Sequence, residues 1–184
     1  MREIVVPKGD RGSFVKKSSY NARELRESAD GKWGEAPPLP ADYMHLVERV
    51  TEIRETGGPK GLGYVRSELD LNAGLWFFLC HFKGDPVMPG LLGIDALMQT
   101  LGFYIGWRGA LGRGRAMGLG GVQFLHEVPP TAKRINYEVD ITRFVPTRKG
   151  WFAEGDGRVL LDNNVIYVAL DMKTCVLPPE VRKV

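Results

Sequence analysis

The stretch that decides the fold runs from Trp76 to Trp107 and reads WFFLCHFKGDPVMPGLLGIDALMQTLGFYIGW. Its second half, Leu91 to Trp107, is mostly apolar, and its polar residues are Asp95, Gln99 and Thr100. A segment this apolar is typical of a helix buried in a core, and it is shorter than the ~20 residues that a membrane span requires. The pair Pro89–Gly90 marks its beginning. We therefore expect a buried central helix that carries a carboxyl group near its start.

Composition narrows the class of protein. The chain has 184 residues, which suits one domain, and its net charge of +3 makes no case for nucleic acid or an anionic membrane as a partner. Two cysteines, Cys80 and Cys175, do not make a disulfide framework or a metal site. The N-terminus has no long apolar run typical of a signal peptide, so we expect a cytoplasmic protein. We expect residues 1–18 to form a peripheral arm and residues 19–184 a single domain.

Two short helices are predicted before the central one. Asn21 can cap a helix whose third residue is Glu24, a pairing typical of a helix start. A second short helix is predicted over Asp42–Val50, where Met44, Val47 and Val50 are apolar.

Alternation of apolar and polar residues predicts the strands. The predicted strands are Tyr64–Leu71, Arg115–Phe124, Arg134–Val145, Trp151–Asp162 and Val165–Lys173. The alternation is clearest in the third, where Ile135, Tyr137, Val139 and Ile141 share one face. The last two are joined through Asp162-Asn163-Asn164, a sequence that favours a tight turn. Consecutive strands without helices between them predict an antiparallel sheet, so we expect an α+β fold in which a curved sheet wraps the helix and a second copy covers the rest.

The candidate chemistry lies on and just before the central helix. Asp95 could donate a proton, or it could be a structural hydrogen-bond partner. Gln99, four residues on, shares its helix face and could bond it. His81 could be a general base or a satisfied core histidine. The first N–H of the helix, at Gly90, could bind a developing oxyanion, although a plain helix start after a proline is common.

A modest group of basic residues lies late in the chain. It comprises Arg143, Arg148 and Lys149, with Lys173 expected nearby on an adjacent strand. The group could meet a phosphate or an acidic partner, or it could be a solvated face. The glycines around Arg113 and Arg115 lack the spacing of a phosphate loop, so a nucleotide site is not expected.

The motifs of the central stretch resemble those of one family. Val87-Met88-Pro89-Gly90, preceded by Cys80-His81-Phe82 and followed by Gly93-Ile94-Asp95-Ala96, resembles the bacterial 3-hydroxydecanoyl-acyl carrier protein dehydratase/isomerase family. The likeness extends from about Ser19 to Val176 and includes Pro130-Thr131-Ala132-Lys133. It implies the hot-dog fold, a long helix wrapped by an antiparallel sheet, paired as a homodimer.

The resemblance also implies roles. His81 would remove the C2 proton of a 3-hydroxyacyl thioester, and Asp95 would protonate the departing hydroxyl. Gly90, with Gln99, would form the oxyanion and substrate-binding group. The basic residues Arg143, Arg148, Lys149 and Lys173 would meet the acidic carrier protein. In the family the histidine and the aspartate of one site come from different subunits, and the reaction needs no metal or organic cofactor.

The resemblance is not complete, and other functions stay open. His126-Glu127 replaces a smaller, glycine-containing turn, and Thr147 stands where a second arginine is common. Asp95, where the dehydratase without isomerase activity carries Glu, favours the bifunctional branch that also makes cis-3-enoyl chains. The alternatives are a hot-dog acyl thioesterase and a non-catalytic lipid- or carrier-binding protein.

Overall fold

The computed structural model describes residues 11–179, and its framework is one long helix set against one sheet. A short helix, α1, spans Ala22–Ala29, and the central helix, α2, spans Gly90–Arg108. The strands are β1 (Arg49–Arg54), β2 (Tyr64–Asp70), β3 (Arg113–Gly118), β4 (Gly121–Phe124), β5 (Arg134–Thr147), β6 (Gly150–Leu161) and β7 (Asn164–Leu177). The expected α+β class and the expected start of the central helix are both confirmed.

All seven strands form one antiparallel sheet in the order β1-β2-β5-β6-β7-β3. The fourth strand lies off this path because it also pairs with β7. β3 pairs with residues 173–177 of β7, and β4 pairs with residues 167–170. β3 and β4 therefore follow one another along the same side of β7. We call residues 113–124 the outer edge of the sheet.

The sheet wraps α2 because one face of each long strand is apolar. Ile135, Tyr137, Val139 and Ile141 are fully buried, as the alternation predicts. Glycines let helix and sheet approach closely: a β-carbon on Gly93 would come within 2.9 Å of the Tyr167 ring, and one on Gly157 within 2.9 Å of Leu97. A curved antiparallel sheet around a single long helix is the hot-dog fold, as the resemblance implies.

The predicted helix over Asp42–Val50 is wrong. Only a single 3-10 turn forms, over Asp42–Met44, and β1 already begins at Arg49. The apolar residues of this segment serve a strand: Val50 and Ile53 are buried on the sheet, and their spacing of three arises because the register of β1 shifts between Val50 and Glu52. The local pattern is the same for a helix and for a bulged strand.

Two other segments have features that the sequence did not predict. The strand expected over Arg115–Phe124 is present as β3 and β4, interrupted where the Gly120 N–H bonds the Leu170 carbonyl at 2.9 Å. The residues expected to form an N-terminal arm contact α2 from residue 11 onward: Arg11 donates to the Gly106 carbonyl at 2.6 Å, and Trp107 donates to the Lys17 carbonyl at 2.7 Å. Residues 1–10 and 180–184 lie outside the described part, and the boundary at residue 18 stays a prediction. Within residues 11–179, no helix is long and apolar enough to cross a membrane.

Candidate active site

His81 is held with a defined ring orientation beside the start of α2. It follows a 3-10 helix over Trp76–Leu79, and its Nδ1 lies 3.0 Å from the Val87 carbonyl oxygen. A carbonyl oxygen can only accept, so Nδ1 carries the hydrogen of the neutral ring. Nε2 is therefore the nitrogen with a free lone pair, which is the state a general base requires.

The cavity beside His81 opens at the N-terminus of α2. It has a volume of about 620 Å³, and Gly90 forms part of its wall. Gly90 is the first residue of the helix, so its N–H has no acceptor in a preceding turn and can bind an oxygen in the cavity. The partial positive charge of the helix N-terminus favours negative charge at the same place. The His81 ring and the first N–H of α2 thus share one cavity.

The sequence reasoning missed the opposite wall of this cavity. Phe124 and Tyr167 pack edge to face with ring centroids 5.0 Å apart, and His126 and Glu127 line the same space. Burial raises the pKa of Tyr167 above its ordinary value, and the nearby Glu127 carboxylate adds to the shift. These residues come from β4, from the turn after it and from β7, and only the pairing of β4 with β7 brings them to His81. The one sequence signal for this wall is His126-Glu127, which replaces the smaller, glycine-containing turn of the family that the chain resembles.

Asp95 lines a different cavity of the same chain, with a volume of about 210 Å³. Gln99 donates to Asp95 Oδ2 at 2.6 Å and to the Met44 carbonyl at 2.9 Å, while its oxygen accepts from the Leu46 N–H at 3.4 Å. The amide of Gln99 is therefore clamped with its nitrogen toward Asp95, as the spacing of four residues predicts. A role of Gln99 in direct substrate binding stays a prediction.

His81 and Asp95 do not meet within one chain, since they line separate cavities. The two cavities open beside the same outer edge of the sheet. Gly114, Arg115 and Ala116 of β3 line the cavity of Asp95, whereas Phe124 of β4 lines the cavity of His81. Parts of this edge are apolar and exposed: Met117 is 59% and Phe124 51% exposed.

The predicted basic group is spread over one end of the sheet. Arg143 donates to Glu154 at 3.1 Å, and Lys173 is the direct partner of Glu154 on the neighbouring strand. Arg148 and Lys149 lie at the turn between β5 and β6. Register thus places Arg143 and Lys173 on either side of one carboxylate, which partly offsets their charge.

The comparisons with known proteins agree with this architecture. One solved structure with a similar fold is the dehydratase heterocomplex ApeI:P from Xenorhabdus doucetiae, with 17% identity over 77% of this chain and 89% of that chain and a TM-score of 0.59. A second is AziG from S. sahachiroi, with 10% identity over 76% of this chain and 98% of that chain and a TM-score of 0.54. A third, with 17% identity over 83% of this chain and 98% of that chain and a TM-score of 0.50, is a putative thioesterase, a phenylacetic acid degradation-related protein from Ralstonia eutropha JMP134. At these identities the likeness shows the fold alone.

The family is shown by the sequence itself. Residues 39–170 match the FabA-like domain. This range contains His81, Gly90, Asp95 and Gln99, and it also contains β3 and β4, the strands that border the two cavities. The match covers most of the chain. The chain therefore belongs to the FabA-like domain family of hot-dog proteins.

Proposed function

We propose that this protein is a hydro-lyase that dehydrates 3-hydroxyacyl thioesters, of the 3-hydroxydecanoyl class, to trans-2-enoyl thioesters. The observation that carries the proposal is the bond between His81 Nδ1 and the Val87 carbonyl, because it leaves Nε2 as the base in a cavity shared with the Gly90 N–H. A thioester carbonyl bonded to Gly90 would place the C2 proton within reach of that nitrogen. The carbonyl acidifies this proton, and the helix N-terminus stabilises the enolate-like charge that develops.

Loss of the hydroxyl group needs a proton, and Asp95 is the proposed donor. The C2–H bond breaks toward His81, the C2–C3 double bond forms, and the C3–O bond breaks as Asp95 gives its proton to the oxygen, which leaves as water. Both groups must therefore face one substrate. A second copy of the chain supplies this arrangement in the proposal, so that His81 of one copy works with Asp95 of the other.

The outer edge of the sheet supports this pairing. The midpoint of residues 113–124 falls at Gly118–Leu119, between β3 and β4. A twofold axis there sets the two edges antiparallel, with β3 of one copy beside β4 of the other. The cavity bordered by β4, which holds His81, then lies next to the partner's cavity bordered by β3, which holds Asp95. The same contact covers exposed apolar side chains and pairs an otherwise open strand edge.

Acyl carrier protein is the proposed carrier of the thioester, and the homodimer is the proposed working form. The exposed residues Arg148 and Lys149, with Arg143 and Lys173, would meet its acidic surface. Isomerisation to a cis-3-enoyl chain is proposed as a second activity. In that step His81 removes a proton from C4 and returns it to C2, so the double bond moves without any redox change.

A thioesterase is the second candidate, since Asp95 alone could activate water in its own cavity. A thioesterase mechanism of this kind gives the fixed orientation of His81 no role. The test is to incubate the protein with a 3-hydroxydecanoyl thioester of acyl carrier protein and to locate any alkene by NMR and mass spectrometry. We expect trans-2 and cis-3 products with the thioester intact. Release of free thiol without an alkene would favour the thioesterase instead.

A further inference from the structure

Tyr137 carries a buried polar group that takes no direct part in the proposed reaction. Its side chain is fully buried on β5, and its hydroxyl has no hydrogen-bond partner among the described residues. Burial raises the pKa of this hydroxyl well above the ordinary value, with smaller contributions from Tyr167 and Asp95, so the group is a neutral phenol that can donate. A buried hydroxyl without a partner is destabilising, so its retention calls for an acceptor nearby.

The register of the sheet places Tyr137 under the turn of α2 that carries Asp95. Ser67, Tyr137, Val159 and Tyr167 are direct partners in a row across β2, β5, β6 and β7. At one end of the row Ser67 bonds Thr100 at 2.7 Å, and at the other the Tyr167 ring packs on Gly93. Both ends of the row thus contact α2, at residues 100 and 93, and Tyr137 occupies a position between those ends.

The Asp95 carboxyl group has two oxygens that can accept hydrogen bonds. Its Oδ2 already accepts from Gln99, whose amide is fixed by Met44 and Leu46. Within the described residues no hydrogen-bond donor reaches Oδ1 of Asp95. A donor at Oδ1 would complete the set around the carboxyl group.

We propose that the Tyr137 hydroxyl donates to Oδ1 of Asp95 through one bridging water molecule and is a positioning residue for the acid. Its catalytic consequence rests on the proposed function, whereas the hydrogen bond does not. When Asp95 gives its proton to the departing oxygen, a carboxylate remains, and its negative charge is shared by Oδ1 and Oδ2. Tyr137 keeps its own proton and stabilises that charge, so the hydroxyl lowers the barrier without touching the substrate.

The hydrogen bond is tested without any substrate, by a double-mutant cycle on thermal unfolding. Tyr137→Phe removes only the hydroxyl, and we expect the midpoint to fall by several degrees. In Asp95→Asn, Gln99 still requires an oxygen at the Oδ2 position, so the amide nitrogen occupies the Oδ1 position and cannot accept. In the Asp95→Asn background, Tyr137→Phe should therefore not lower the unfolding midpoint. An equal loss in both backgrounds, or a loss in neither, would overturn the proposal.

The catalytic consequence is tested by kinetics on the same variants. Tyr137→Phe should lower kcat about tenfold and leave KM within about twofold, since a charge-assisted hydrogen bond acts only as the acid ionises. Tyr104→Phe is the matched control, because Tyr104 is also fully buried and donates to the Leu62 carbonyl at 2.8 Å. This variant should be less stable than the wild type but have the same kcat. Full kcat in Tyr137→Phe would overturn the positioning role. A positive unfolding cycle in a protein that dehydrates no 3-hydroxyacyl thioester would refute the proposed function and leave the hydrogen bond standing.

Discussion

The ring of Phe124 lies directly over Gly90, so that a β-carbon added at residue 90 would come within 2.6 Å of the ring. Real β-carbons do not approach this closely, and a side chain at this position would displace the ring. Gly90 is thus required by packing at the mouth of the His81 cavity. The helix start itself does not demand glycine.

Gly90→Ala should therefore destabilise the fold by about 1–3 kcal/mol, since the added methyl group overpacks the contact with Phe124. Urea unfolding measures the effect. In a Phe124→Ala background the same substitution should cost much less, because the ring is gone. The matched control is Gly102→Ala in the same helix, where the added carbon would make an ordinary 3.4 Å contact with Thr174 and stability should hold or rise. Equal costs at residues 90 and 102 would contradict the packing argument.

Gln99→Met should lower both stability and activity. The change leaves the Met44 carbonyl and the Leu46 N–H without their partner and removes the donor to Asp95, at a cost of about 1–3 kcal/mol for the buried groups. Chemical denaturation and steady-state kinetics would report the two effects. If kcat stayed at the wild-type value while stability fell, Gln99 would be a clamp of the Met44–Leu46 segment only.

Leu119→Asp should convert the proposed homodimer to a monomer. The proposed twofold axis passes close to residue 119, so the substitution would place two carboxylates near one another at the proposed interface. Sedimentation velocity would show the monomer, and activity should be lost with it because the two cavities separate. The control is Leu62→Asp, a similarly exposed leucine outside the outer edge, which should leave the mass unchanged. A Leu119→Asp protein that stays dimeric would exclude this edge as the interface.

Acid should weaken the sheet through Asp70. The Arg134 guanidinium, 2.5 Å away, and Arg49 hold the pKa of Asp70 below its ordinary 3.8. Because the folded-state pKa is depressed, the stabilisation is complete above pH 3.8 and is lost as the pH falls through the folded-state value. Asp70→Asn lacks this contribution at every pH. Urea midpoints of the two proteins should therefore differ at pH 6 and converge toward pH 2.5, and a difference independent of pH would contradict the assignment.

The parts of the fold that could be predicted are those that depend on the local pattern of apolar and polar residues. The apolar segment after Pro89 is typical of a buried helix, and the alternation over Arg134–Val145 predicts which face of β5 is inside. The turn at Asp162 and Asn163 was equally local, since both residues adopt the positive φ, 50° and 65°, that a tight hairpin requires.

The parts that could not be predicted depend on contacts between distant segments. Nothing near His81 in sequence indicates that Phe124 and Tyr167 complete its cavity, because that follows from the pairing of β4 with β7. The clamp on Gln99 comes from Met44 and Leu46, in a segment wrongly predicted as helix. The candidate residues were therefore accessible from the sequence, while the groups that orient them were not.

The central claim is that His81 and Asp95 of different chains act on one substrate, and subunit mixing tests it most directly. His81→Ala and Asp95→Asn homodimers should each be inactive, since every site lacks its base or its acid. After the two are unfolded together and refolded, half of the dimers are mixed and each mixed dimer holds one intact site, so activity should return to about a quarter of the wild-type value. If both groups of a site came from one chain, no dimer would hold an intact site, and a mixture that stays inactive would contradict the account.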